Sequence, residues 1–250
     1  LELNRLGYGV DAFVLDAASF VPQSRQRLFV AAKQELRQEP ARVLSGLRFY
    51  QSEVRPAALA DFILMHDEIN WSIRALPPLP SSDARLTDIL DDLPSSSAEW
   101  WSAERSAYLL SQMSVRHRKI ADEMIAADAF SYGTVFRRVR YGKSMAELRT
   151  DGIAGCLRTP RGGSGRQILV KAGKGEFHAR LLSPAECARL MGADGFRVAV
   201  PSNQALFGFG DAVCAPVITW IAENYLNPLV DELIDEGRAA RISGDRYLGG

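Results

Sequence analysis

The stretch Val21-Pro22-Gln23-Ser24-Arg25-Gln26-Arg27-Leu28-Phe29-Val30 limits the folds open to this chain more than any other. It follows one short apolar segment, Val10 to Ala17, and runs into a second, Arg27 to Ala32, whose length and β-branched and aromatic content read as strands. Pro22 cannot donate to a central ladder, so it belongs to the loop from Ala18 to Gln26 that joins them. Ahead of both, Leu1-Glu2-Leu3-Asn4-Arg5-Leu6-Gly7 reads as the last turns of a helix stopped by a glycine. Helix, strand, loop, strand is the pattern of the tail of an α/β sheet. With no initiator methionine before it, the expectation is a chain entered midway, its earlier strands lying elsewhere.

The Gln-x-Arg-x-Arg cluster leads straight into the second strand. Two guanidiniums on alternate residues of an extended segment are predicted to project from one face. A planar fork of donors suits a phosphate oxygen or the carbonyl oxygen of a base. Taken in isolation, a cluster of this kind reads first as a solvated strand end whose arginines pair with nearby carboxylates.

A chain of 250 residues can form one large domain or two smaller ones. Its 30 basic and 30 acidic residues cancel, so a nucleic-acid surface must come from the distribution of charge and not from its total. Cys156, Cys187 and Cys214 form no Cys-x-x-Cys pair and are expected to pack in the core, which fits a reducing cytoplasm. His66, His117 and His178 show no metal-ligand spacing, so no metal is expected. No apolar run reads as long enough to span a bilayer, and the start shows no signal segment, so neither membrane nor export is expected.

Along the chain, Gln34 to Pro94 is punctuated by prolines and serines and reads as irregular and loop-rich. Glu99 to Ala127 recovers a helical period through Leu109, Leu110, Met113, Ile120 and Met124, whose methionines read as core. Charge then shifts: 11 basic residues fall between Arg137 and Arg180 against only Glu147, Asp151 and Glu176. Within that segment Arg158, Arg161, Gly162, Gly163, Ser164, Arg166 and Gln167 form a glycine-rich loop flanked by arginines, ahead of the strand-like Ile168-Leu169-Val170. Glycine lets a backbone approach a ligand, and arginine and glutamine can read phosphates and base edges. A mobile surface hairpin is the other reading.

Ser183-Pro184-Ala185-Glu186 carries a helix start: an N-cap, a proline at the first position and a glutamate reaching back, with Gly192 as the stop. Gln204 to Val213 opens a second helix, and the turn at Gly208 to Gly210 is predicted to expose amide groups at its start. After Pro228 only Leu229 to Ile234 reads as helical, and residues 231–250 read as a tail.

These pieces line up with one family. The chain resembles the C-terminal half of DNA (cytosine-5)-methyltransferases: Pro22 to Arg27 resembles the Gln-x-Arg-x-Arg motif, Arg180 to Gly192 resembles motif IX, and Gln204 to Val213 resembles motif X. The resemblance implies the tail of a Rossmann-like S-adenosylmethionine-dependent methyltransferase sheet over residues 1–33. It further implies a smaller, irregular target recognition domain over 34–199 and a motif X helix returning to the catalytic domain over 200–230. In that family a cysteine thiolate attacks C6 of a flipped-out cytosine, a glutamate contacts N3, and C5 receives the methyl group. Carried over, Arg27 would meet O2 of the base, Arg25 the phosphate of the flipped nucleotide, and Gln23 would anchor the loop. Gly210, Asp211 and Ala212, with Gln204 nearby, would sit beside the methionine part of the cofactor, Asp211 replacing the family's usual asparagine. The glycine-rich loop would contact DNA.

The Pro-Cys nucleophile and the Glu-Asn-Val segment are absent, so the chain alone is expected not to methylate. The resemblance implies double-stranded DNA and an N-terminal catalytic segment or subunit as partners, and S-adenosylmethionine bound mostly outside this chain. It also implies a bacterial, cytoplasmic, nucleoid-associated setting of the restriction-modification kind. The competing reading is a non-catalytic DNA-binding or specificity subunit.

Overall fold

The computed structural model describes residues 1–34, 51–140, 142–159 and 165–235 of the chain. It is a mixed α/β structure that divides into two compact units. The first comprises Leu1–Leu15, Gln26–Pro80 and Val217–Gly250, and the second Asp16–Arg25 and Ser81–Pro216.

In the first unit, α1 (Glu2–Arg5) ends where the Gly7 N–H bonds the Asn4 carbonyl at 2.9 Å, and Gly7 takes φ +84°, a conformation that favours glycine. β1 (Tyr8–Asp16) and β2 (Gln26–Gln34) pair as a two-stranded sheet, each running beyond the segment its apolar run marks. β1 is buried along most of its length. Val10 and Ala12 form a core with Ile63 and Trp71. Ile63 lies on α2 (Ala57–Met65), a helix inside the stretch expected to be irregular. Its signal is hidden because apolar residues surround the helix, leaving a weak 3.6-residue period.

Buried charge fixes β1. Asp11 is 1% exposed, and both its oxygens bond the Arg55 guanidinium, at 2.8 and 2.9 Å. The Ala12 and Arg74 N–H groups complete its shell at 2.7 and 3.0 Å, so the buried charge is paired and hydrogen-bonded. Burial, then the Asp11 carboxylate, raises the Tyr225 phenol well above its ordinary range.

The second unit is built on a four-stranded antiparallel sheet in the order β4-β3-β5-β6, from β3 (Ser131–Arg140), β4 (Lys143–Arg149), β5 (Ile168–Gly173) and β6 (Glu176–Leu181). Only the first residues of β5 read as strand in the sequence; arginines and lysines mask the alternation of the others. The helical period from Glu99 to Ala127 resolves into α3 (Ala103–Ser111) and α4 (Val115–Ala126). They are broken because Ser114 caps a new helix by accepting from the His117 N–H at 3.4 Å, and Met113 bridges to Ala146 of β4. Leu109, Met113 and Ala121 pack with Val135, Ile168 and Val170 as the core.

α5 (Pro184–Leu190) has the capping box its sequence predicts, with Ser183 Oγ accepting from the Glu186 N–H at 3.1 Å and Glu186 accepting from the Ser183 N–H at 2.7 Å. Glu186 also pairs with Arg180 at 2.5 Å, both buried. Gly192, at φ +66° and against Pro216, ends the helix.

The segment after it departs from expectation. α6 (Ser202–Asp211) begins at Ser202, so Gly208 and Gly210 lie inside the helix and expose no amide turn at its start. After a break at Ala212–Cys214, α7 (Ala215–Ile221) leads into a π-helical turn, Ala222–Leu226, and helix continues over 227–235. By length and composition alone the helical stretch Ser202–Asp235 is long and apolar enough to cross a membrane, which corrects the expectation that no run reaches that length. Ala205, Phe209, Val217, Trp220 and Tyr225 of that stretch are buried within the protein.

Candidate active-site segments and a basic cavity

Three segments far apart in sequence meet in the second unit through two side chains. Gln23, fully buried, donates from Nε2 to the Leu190 carbonyl at 2.7 Å and accepts at Oε1 from the Leu157 N–H at 3.0 Å. It thereby joins the Pro22 loop to the end of α5 and to the segment before the glycine-rich loop. A parallel bridge between Gln23 and Ala154 runs alongside.

Arg25 is 5% exposed and its guanidinium is turned onto main chain. Nη1 donates to the Leu157 carbonyl at 2.7 Å, and Nη2 donates to the carbonyls of Gly210 at 3.1 Å and Ala212 at 2.5 Å. Its own N–H bonds Asp16 Oδ1 at 2.8 Å. To hold a phosphate, this guanidinium would have to leave three carbonyls. Arg27 differs: it is exposed, and Nη1 donates to the Gln26 carbonyl at 2.8 Å. The two arginines therefore do not present one shared exposed face, because the chain leaves the loop at Arg25 and becomes strand only at Gln26.

The residues of α6 are also engaged with protein. Asp211 accepts from the Thr159 hydroxyl. Gly210 lies so close to the Arg158–Thr159 backbone that a Cβ would stand 2.2 Å from the Thr159 nitrogen. With the Gly210 and Ala212 carbonyls bonded to Arg25, this set does not by itself form a cradle for S-adenosylmethionine. Gln204 is exposed on α6.

Of the glycine-rich loop, Arg161, Gly162, Gly163 and Ser164 lie outside the described residues. Arg166 bonds Asn203 Oδ1 at 2.8 Å. Arg158 and Gln167 line a cavity of about 720 Å³ together with Ser24 and Thr159. More of the wall comes from Phe136 and Val139 and from Arg137, Arg138 and Arg149, arginines of the basic segment that sequence reasoning assigned to no site. The signal that could have found them is the arginine density over 137–149, read as a hairpin.

Cys156 also lines this cavity, half-buried, with Sγ 3.7 Å from Arg25 Nη1 and 3.2 Å from the Leu157 carbonyl. A pure packing role does not describe it, whereas Cys187 and Cys214 are buried as expected. Among the described residues no group of three or more His, Cys, Asp or Glu is placed to hold a metal ion.

No curated protein matches the chain. Among solved structures, the crystal structure of S. pombe Dnmt2 methyltransferase is similar at TM-score 0.47 and 14% identity, over 91% of this chain and 60% of that one. This chain thus spans less than two thirds of that protein's length. The family model described as C-5 cytosine-specific DNA methylase matches residues 1–227. With nearly the whole sequence matched, from the α1 segment through the π-helical turn, the chain belongs to the C-5 cytosine-specific DNA methylase family.

Proposed function

We propose that this chain is the C-terminal part of a DNA cytosine-5 methyltransferase, supplying target recognition and the arginine that meets the target base. The observation that carries the reading is a convergence. Gln23 and Arg25, from the Gln-x-Arg-x-Arg segment, hydrogen-bond to Leu190 at the end of the motif IX-like helix and to Gly210 and Ala212 of the motif X-like segment. Motifs separated by well over a hundred residues gain a common physical role when the first holds the other two.

In this proposal the methyl group passes from S-adenosylmethionine to C5 of a flipped cytosine in duplex DNA. Adding a nucleophile to the ring pushes negative charge toward O2, and the exposed Arg27 guanidinium is the group that would stabilise it. Arg25 acts indirectly, holding the segment that leads into Arg27. The nucleophile, the N3 contact and most of the cofactor pocket belong to an N-terminal catalytic segment or subunit, and the chain alone is inactive. Gln204 and the exposed side of Asp211 border the methionine part of the cofactor, where a carboxylate favours its ammonium group. The recognition domain covers 34–199 and residues 200–230 return to the catalytic part, in a bacterial cytoplasm beside the nucleoid.

The test is co-expression with the coding segment immediately upstream, followed by tritiated methyl transfer to DNA. Activity is expected from the pair and from neither part alone. Arg27→Ala should lower kcat by about two orders of magnitude, the scale of losing one charge-stabilising donor. Unchanged kcat in that variant would remove Arg27 from the target base.

A further inference from the structure

β3 and β5 are paired only from Ser131↔Ala172 to Val135↔Ile168, whereas β3 stays paired with β4 as far as Arg140↔Lys143. Beyond Val135, one edge of β3 faces no strand among the described residues. The cavity of about 720 Å³ is lined by four consecutive residues of this stretch, Phe136 to Val139. Strand side chains alternate between faces, so an unbroken run of four marks a cavity lying against the strand's edge, where main-chain groups are also presented.

The charge on this wall is unevenly answered. Arg138 lies 3.0 Å from Glu147, which also draws Arg140 at 3.4 Å, and Arg149 meets Asp151 at 2.6 Å. Arg137 and Arg158 line the same cavity with no ion-pair partner among the described residues. The Arg138 guanidinium lies 4.7 Å over the Phe136 ring, a flat surface of the kind on which a base stacks.

A second need is unmet nearby. Gln167 is 7% exposed and lines the cavity; its Nε2 donates to the Cys156 carbonyl at 3.3 Å, but its buried Oε1 has no donor among the described residues. Gly155 permits this placement, since a Cβ there would stand 2.8 Å from that oxygen. A buried acceptor without a donor costs about 1–3 kcal/mol in a finished fold, so it marks a place where a ligand can supply an N–H. A ligand meeting both needs carries anionic oxygens for two guanidiniums and an amino group for the amide. Those are the features of a nucleotide, and the cavity is within the size range of small-molecule sites.

We propose that the open edge of β3 seats a nucleotide of the bound DNA, its phosphate between Arg137 and Arg158 and its base edge toward Gln167. The inference rests on the DNA-binding reading above. Glu147 holds Arg138 and Arg140 back from that seat, which sets the strength of backbone binding below what the local arginines would allow.

The experiment is fluorescence anisotropy of the full chain with labelled duplex DNA across a series of salt concentrations. Arg137→Ala and Arg158→Ala should each weaken binding about fivefold and lower the slope of log affinity against log salt by about one, and the double variant by about two. Glu147→Gln, which releases two guanidiniums, should tighten binding and steepen the slope, a gain that misfolding cannot produce. Lys119→Ala, on the exposed face of α4, should change neither. If the wild-type chain binds DNA but the slope is unaltered in the arginine variants and Glu147→Gln gives no gain, the seat is wrong and the DNA reading stands. If the wild-type chain does not bind duplex DNA at low salt, both fall.

Discussion

At the scale of single residues, the three cysteines show how burial decides chemistry. Cys187 is 1% exposed on α5, and burial, helped by the neighbouring Glu186 carboxylate, pushes its thiol up to about 12. At pH 8 it is therefore almost wholly thiol, and the thiolate is the species that reacts. Cys156 lies half-buried at the wall of an open cavity. We expect iodoacetamide at pH 8 to label Cys156 first and to leave Cys187 unmodified until the chain is denatured, as mass spectrometry of digested protein would show. Prior labelling of Cys187 in native protein would contradict its burial. In the sequence all three read alike, as small apolar residues without a partner motif, because what separates them is the cavity that the Ser24, Cys156 and Gln167 segments make together. Arg25 and Arg27 were similarly alike on paper. Whether a guanidinium turns inward onto carbonyls or outward to solvent depends on where the carbonyls of Leu157, Gly210 and Ala212 come to lie, which no local pattern encodes.

At the scale of elements, legibility follows how local the controlling physics is. The capping box of α5 was readable because Ser183, Pro184 and Glu186 act on one another within a single turn. β1 and β2 were readable from their apolar runs, whereas in β3, β4 and β6 charged and polar residues break the alternation. The glycines of α6 misled for a related reason. In isolation Gly208 and Gly210 argue for a turn, yet both lie within the helix, and at Gly210 the missing side chain lets the Arg158–Thr159 backbone pass close. Gly210→Ala tests that account. On an open helix face the change would add about 0.5–1 kcal/mol of stability. Here the new methyl group would meet backbone atoms at 2.2–2.7 Å, so α6 must shift and strain the Arg25 bonds. The expected result is a loss of about 1–3 kcal/mol in chemical denaturation. A gain would mean that α6 is not seated against the Arg158–Thr159 segment.

At the scale of the whole molecule, the two units differ in how far each closes its own core. The second unit covers its four-stranded sheet with α3 and α4. In the first, the described sheet has two strands, β1 packing Val10 and Ala12 on Ile63 and Trp71. β2 carries its apolar residues on the outside: Leu28 is 58% exposed and Val30 56%, on alternate positions and therefore one face. Leu1 and Leu6, flanking α1, are each 62% exposed as well. On the function proposed above, this is where the N-terminal catalytic segment completes the sheet. Replacing Leu28 and Val30 together by lysine separates folding from assembly. Both side chains are already in solvent, so the double variant should leave the thermal unfolding of the isolated chain within about 0.5 kcal/mol per site of wild type. Paired with the upstream segment it should lose methyl transfer and co-purification together, because each lysine would have to bring an uncompensated charge into an apolar contact. Arg27→Ala, in contrast, should lose methyl transfer while still co-purifying. If the double lysine variant assembles and methylates normally, the exposed face of β2 is not the joint.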